Sequence, residues 1–200
     1  PYEHSTSTGT LLLDREQVFE TGQKAAAAGL GLAVHAIGDR ANHEVLAGIE
    51  QLRDYERENH LVARRHRIEH VQLLHPQDYQ ALARLDVIAS VQPSHATSDM
   101  EIADRHWGSR SEGAYAFKTL LEYGTALAFG SDAPVELPNP FLGLHAAVTR
   151  RRPDGTPGED GWYPGQRLTL AEALCAYTSG AAFAAGKETS QGRLLPGYLA

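Results

Sequence analysis

Two hundred residues, 42% of them hydrophobic, suffice for a real core in one domain, and a formal net charge of −7 argues against nucleic acid as a partner, because phosphate binding needs a basic face. A single cysteine, Cys175, excludes an internal disulfide and any cysteine-rich zinc site, and it reads as a core residue of an Ala/Leu-rich helix. No stretch approaches a membrane span and the first residues carry no basic-then-apolar signal, so the expectation is a cytoplasmic protein with no membrane partner; the start at Pro1 rather than Met leaves room for an earlier region and any address it carries.

In chain order, residues 1 to 10 read as a Ser/Thr/Gly loop with His4 exposed. Asp14 is predicted to cap a helix reaching about Ala28 and ended by Gly29. Leu30 to His35 is a short apolar run ending in histidine, the pattern of a buried strand. Gly38-Asp39 then turns into a helix from about Arg40 to Arg57, with Val45, Ile49 and Leu52 as its apolar stripe. A second strand runs from His66 to Gln72, a helix from Pro76 to Leu85, and a third strand from Val87 to Val91, stopping at Gln92-Pro93-Ser94-His95.

Ala96 to Gly113, with Asp99, Asp104, His106 and Trp107, is polar enough to read as an active-site loop. A helix from Ala114 to Tyr123 leads to an apolar strand beginning near Thr125, which stops at Gly130-Ser131-Asp132. A helix from Asn139 to Arg150, a Gly/Pro-rich loop from Pro153 to Gly165 and a Thr169-capped helix to Ala185 follow. Gly192 to Ala200 resembles a turn leading into another strand. The basic runs Ala63 to Arg67 and Arg150 to Arg152 read as solvated charge near helix ends.

The strand-then-helix unit thus occurs four times, which predicts an α/β fold amounting to half of an eight-fold barrel. A free half barrel leaves two sheet edges and one flank of its core uncovered, so the expected partner is the missing half or a second copy of the chain.

Three strands end in metal-ligating side chains: His35, His70 and Asp132. Two imidazoles and a carboxylate suit Zn²⁺ or a similar divalent ion, with bonds of about 2.0 to 2.2 Å. A rival reading takes His66-Arg67-Ile68-Glu69-His70 as the H-x-x-E-H motif of helical zinc peptidases, but the alternation of units calls for a strand there. In a strand, His66, Ile68 and His70 share one face and Glu69, on the other, needs a partner. Ser131 lacks the glycine that a nucleophile elbow requires, and no Gly-rich turn matches a phosphate-binding fingerprint.

The segments His35-Ala36-Ile37-Gly38-Asp39-Arg40-Ala41, Arg67-Ile68-Glu69-His70, Val91-Gln92-Pro93-Ser94-His95 and Gly130-Ser131-Asp132-Ala133-Pro134-Val135 together resemble the amidohydrolase superfamily. The branch they are most similar to holds N-substituted formamide deformylase and uncharacterised metal-dependent hydrolases. This resemblance implies the C-terminal half of a (β/α)₈ TIM-type barrel, strands five to eight, over residues 1–190, with 191–200 starting a strand of a small β-domain. It further implies His35 and His70 as fifth- and sixth-strand ligands, Asp132 as the eighth-strand ligand and proton acceptor, and His95 near the substrate. The expected cofactor is zinc, one or two ions in the parent protein, and the expected substrate a small-molecule amide or cyclic amide.

The family's first-strand His-x-His and fourth-strand ligand, often a lysine, are absent, since no His-x-His occurs and Lys24, Lys118 and Lys187 fall in helices or the tail. The 200-residue chain is therefore expected to be inactive alone. The alternatives are a non-catalytic, self-associating half barrel and, behind it, the helical zinc peptidase.

Overall fold

The computed structural model describes residues 1–199. Four parallel strands, β1 (Ala33–Ala36), β2 (His66–His70), β3 (Val87–Val91) and β4 (Leu127–Phe129), lie in the order of the sequence. Each strand is followed by helical structure, as the alternation predicts. Val34, Ile68, Ala89 and Leu127 stand in one row across the sheet, and His35, Glu69, Ser90 and Ala128 in the next. Neighbours in a row share a face, and consecutive rows face opposite ways. The first row joins the hydrophobic core; the second carries the polar groups.

Helix α1 (Arg15–Ala27) begins at the expected Asp14, which forms a capping box with Gln17. It packs on α2 (Asp39–Glu58), whose Val45, Ile49 and Leu52 are buried. The segment after β2 forms a 3₁₀ turn at Pro76–Asp78 and then α3 (Tyr79–Arg84). Residues expected to form a polar loop are instead α4 (Pro93–Ser98), α5 (Met100–Trp107) and a 3₁₀ segment at Gly108–Gly113. Pro93 is pre-set for the first turn of a helix, and Met100 and Ala103, one turn apart, bury one side of α5 while its charged residues face water.

The carboxylates of that segment are structural. Asp104 accepts hydrogen bonds from Ser111 Oγ at 2.7 Å and from Trp162 Nε1 at 3.0 Å, and Asp99 accepts one from Tyr115 Oη at 2.6 Å. After α6 (Phe117–Glu122) and β4 comes α7 (Pro140–Thr149), capped by Asn139. A last rod holds α8 (Leu170–Cys175), a π turn at Ala176–Gly180 and α9 (Ala181–Ala184), and Thr169 caps it with Glu172. This rod lies so close to β4 that a Cβ at Gly180 would come within 2.1 Å of the Leu127 carbonyl oxygen. Residues 192–199 hold a bend at 192–193 and a turn at 196–197, with the Leu199 amide donating to the Ser190 carbonyl, and no strand among them.

Several expectations need correction. Residues His66–His70 are a strand, as the alternation of units predicts, and it is the rival zinc-peptidase reading, which requires a helix there, that falls. Arg150 is fully buried rather than solvated: its Nε and Nη1 donate to the carbonyls of Trp162 and Tyr115, and the guanidinium lies 4.9 Å from the Trp162 ring centre. Burial lowers its pKa to about 10. Cys175, expected in the core, is exposed because α8 turns Ala173 inward in its place. Glu69 has its partner within its own strand, since Arg67 Nε donates to it at 2.5 Å on the same face.

His66 ties three elements together. Its ring is fully buried; Nδ1 accepts from the Leu32 amide at 3.1 Å, and Nε2 faces Glu56 at 3.3 Å. Glu56 also accepts from Arg53, whose Nε reaches the Leu85 carbonyl, so α2 is fastened to the starts of β1, β2 and β3. Burial first, then the nearby Arg53, lowers the His66 pKa, with Glu56 opposing. The native ring therefore stays neutral where the unfolded chain would protonate. Its contribution to stability is full above about pH 6.5 and falls as pH drops from there toward the lowered native value. Thermal melts are expected to move downward from about pH 7.5 to about pH 5, and His66→Gln to show a smaller shift from a lower starting point.

Candidate metal centre

The candidate site lies where the strands end. His35 closes the polar row on β1 and is exposed, while His70 is the last residue of β2. Strict alternation would send His70 to the helix side with His66 and Ile68. The chain departs from it: φ is +78° at His70 and +45° at Val71. Left-handed backbone is uncommon for any side chain and an outlier for a β-branched one, and such strain gathers at functional sites. The turn carries the His70 ring to within 4.4 Å, centre to centre, of the His35 ring, which it meets edge-on.

His95 enters from α4, one turn after β3. Its ring stacks on His70 at 5.9 Å with 14° between the planes. It is only 6% exposed, and both of its nitrogens are buried without a hydrogen-bond partner. A native protein rarely leaves such groups unmatched, so a buried imidazole with two unmet nitrogens signals a missing partner. Asp132 comes from the turn after β4, again in left-handed backbone with φ +56°, and is exposed.

One donor atom each from His70, His95 and Asp132 lie within 4.8 Å of one another. His35 stands outside that set but beside it. Burial, then the positive potential of His70, lowers the His35 pKa, while Asp132 and Glu69 act against them. The ring is thus neutral at pH 7, the form in which imidazole donates a lone pair. Two imidazoles and a carboxylate, with buried nitrogens unmet, fit a divalent metal ion.

All four site residues expected from the sequence therefore gather at the carboxyl ends of the strands. The departure concerns His95, expected near a substrate and found among the potential ligands. Gln92, which had no role in the sequence reading, reaches His70: its Oε1 lies 3.0 Å from the ring Nδ1. Its position directly after β3 was the available signal. Asn42, fully buried on α2, was missed as well, and its side-chain amide donates to the carbonyls of Ala36, Ile37, Gly38 and Leu73 at 3.0 to 3.3 Å. It joins the segment after His35 to the segment after His70.

A sequence profile described as "Amidohydrolase family" matches residues 1–200. The chain is 36% identical over 194 residues to Protein LONG AFTER FAR-RED 3 of Arabidopsis thaliana, covering 96% of this chain and 32% of that protein. It is 26% identical over 197 residues to N-substituted formamide deformylase of Arthrobacter pascens, covering 98% and 35%. An uncharacterised metal-dependent hydrolase from Pyrococcus furiosus superposes with a TM-score of 0.82 at 31% identity, over 99% of this chain and 38% of that one. The chain spans about a third of the length of these curated relatives.

Replacing Asn42 by Ala would remove the side-chain donor from this turn; the Ala36, Ile37 and Gly38 carbonyls keep backbone N–H donors, and the buried Leu73 carbonyl loses its own. A loss of about 1 to 3 kcal/mol is expected in urea denaturation, and an unchanged midpoint would show that the Leu73 carbonyl finds another donor.

Proposed function

This chain belongs to the amidohydrolase family, and we propose that it forms the C-terminal half of a (β/α)₈ barrel, strands five to eight, in a metal-dependent enzyme that hydrolyses a C–N bond of a small amide or cyclic amide. The observation that carries this reading is the His70, His95 and Asp132 cluster, with the His95 nitrogens buried and unmet. His35, His70 and Asp132 would hold the ion, zinc by preference, and His95 closes the inner wall as a further nitrogen donor or substrate contact. A divalent ion at such a centre lowers the pKa of water toward about 7 and polarises a carbonyl oxygen.

The chain's own contribution is proton movement and exclusion of water. Asp132, exposed at the open side, accepts a proton from water as its oxygen bonds to the carbonyl carbon. It returns that proton to the nitrogen as the C–N bond breaks, so that an acid and an amine leave and the carboxylate is regenerated. The buried imidazole of His95 and the half-buried one of His70 form the drier side, where electrostatic interactions are strengthened.

The name of the Arthrobacter relative supports a formamide or related amide as the substrate class. Residues 191–200 would lead into a small β-domain. Without a His-x-His or a strand-borne lysine the chain alone is expected to be inactive, its activity belonging to a longer parent protein. Among the described residues no helix is long and apolar enough to cross a membrane, and a cytoplasmic setting accords with this reading.

A second reading, a non-catalytic half barrel that self-associates, draws on the sheet order, because β1 and β4 each pair on one side only. Light scattering on the 200-residue chain discriminates: a stable monomer would sink self-association.

In the parent protein, Asp132→Asn is expected to lower kcat about 10²- to 10⁴-fold. His70→Ala should lose both bound metal and turnover, and chelation should abolish activity that added zinc restores. Near-normal turnover by either variant on amide substrates would remove the assignment.

A further inference from the structure

We propose that Gln92 is the positioning residue of the centre, its side-chain oxygen accepting the Nδ1 proton of His70 and thereby reserving Nε2 for the metal. This rests on the reading of His70 as a ligand. The Gln92 Oε1 to His70 Nδ1 distance is 3.0 Å, and Gln92 is only 7% exposed.

A neutral imidazole carries one proton, and the nitrogen that keeps it cannot bind a metal. Histidine without a partner favours the proton on Nε2. A buried oxygen acceptor at Nδ1 reverses that preference and leaves the lone pair on Nε2. Hydrogen bonds of this kind fix the ring of a metal-bound histidine and raise its basicity.

The backbone makes the contact serve position as well as tautomer. His70, the last residue of β2, pairs with Ala36 of β1 but has no partner on β3, and its left-handed backbone takes its ring out of the alternation that orients the rest of the strand. Gln92 and His95 replace that guidance from the two ends of one helical turn. Gln92, the residue that caps α4, holds the ring at its edge, and His95 covers its face.

The reversed amide would donate to Nδ1 and drive the ring proton onto Nε2, so the two orientations predict opposite tautomers. ¹⁵N spectra of histidine-labelled, metal-free parent protein separate them: His70 is expected as Nδ1–H in the wild type and displaced toward Nε2–H in Gln92→Met. In chelator competition, Gln92→Met, which keeps the chain length but has no acceptor, is expected to bind zinc about 10- to 100-fold more weakly. Gln92→Glu, which restores an oxygen, should bind at least as tightly as wild type.

An Nε2–H tautomer in the wild type, wild-type zinc affinity in Gln92→Met, or a Gln92→Glu variant as weak as Gln92→Met would each overturn the proposal. If Gln92→Met fails to fold, the wild-type tautomer and the Gln92→Glu affinity still decide. The His70→Ala variant separates the two levels: unchanged zinc affinity there refutes His70 as a ligand, while the ¹⁵N spectra report the Gln92 contact independently.

Discussion

The register between β1 and β2 governs where the candidate ligands lie. Pairing Ala33 with Arg67 puts His35 beside Glu69 and Ala36 beside His70. In a parallel sheet these neighbours share a face, so regular pleating would hold the His35 and His70 rings on opposite sides. They meet because the backbone turns left-handed at His70 and Val71, which breaks the alternation at the end of β2. One residue of slippage would put Ile68 in the polar row and Glu69 in the core, which the buried side of the sheet forbids.

That departure costs about 1 to 3 kcal/mol for each residue held in an unfavourable region. The surrounding structure offsets it with contacts at both strand ends. Val71 is buried in the core, and its amide donates to the Ala36 carbonyl. Asn42 binds the two outgoing segments together, and at the opposite end of the sheet the His66, Glu56 and Arg53 set fixes where β2 begins. A strand pinned at its start and tied just beyond its end can hold a strained turn between.

The sequence was informative wherever one local rule decided the outcome. Asp14, Asn139 and Thr169 cap helices as their positions predict, and Val87–Val91 is the third strand to the residue. The strands that lead to His35 and Asp132 were readable because an apolar run stops at a polar residue, and the one that ends in His70 because the alternation of units calls for a strand there. Long-range pairing stayed hidden. Arg150 reads as surface charge until Trp162 and Tyr115 supply its carbonyl acceptors, and α5 reads as a loop because its buried side consists of a few short contacts. For Gln92 the only local signal is its place directly after β3; its significance comes from a ring 22 positions earlier in the chain.

Burial divides the site into two sides with different chemical capacities. His95 lies almost wholly inside, its two ring nitrogens buried without a hydrogen-bond partner and one of them within reach of His70 and Asp132. Asp132 lies outside, where a carboxylate can exchange protons with water and still turn toward the cluster. Were the two exchanged, the carboxylate would be buried, with its pKa raised and its proton held, and the imidazole would titrate in solvent across neutral pH. The observed order, nitrogen within and oxygen at the rim, leaves the carboxylate as the member of the cluster that meets solvent.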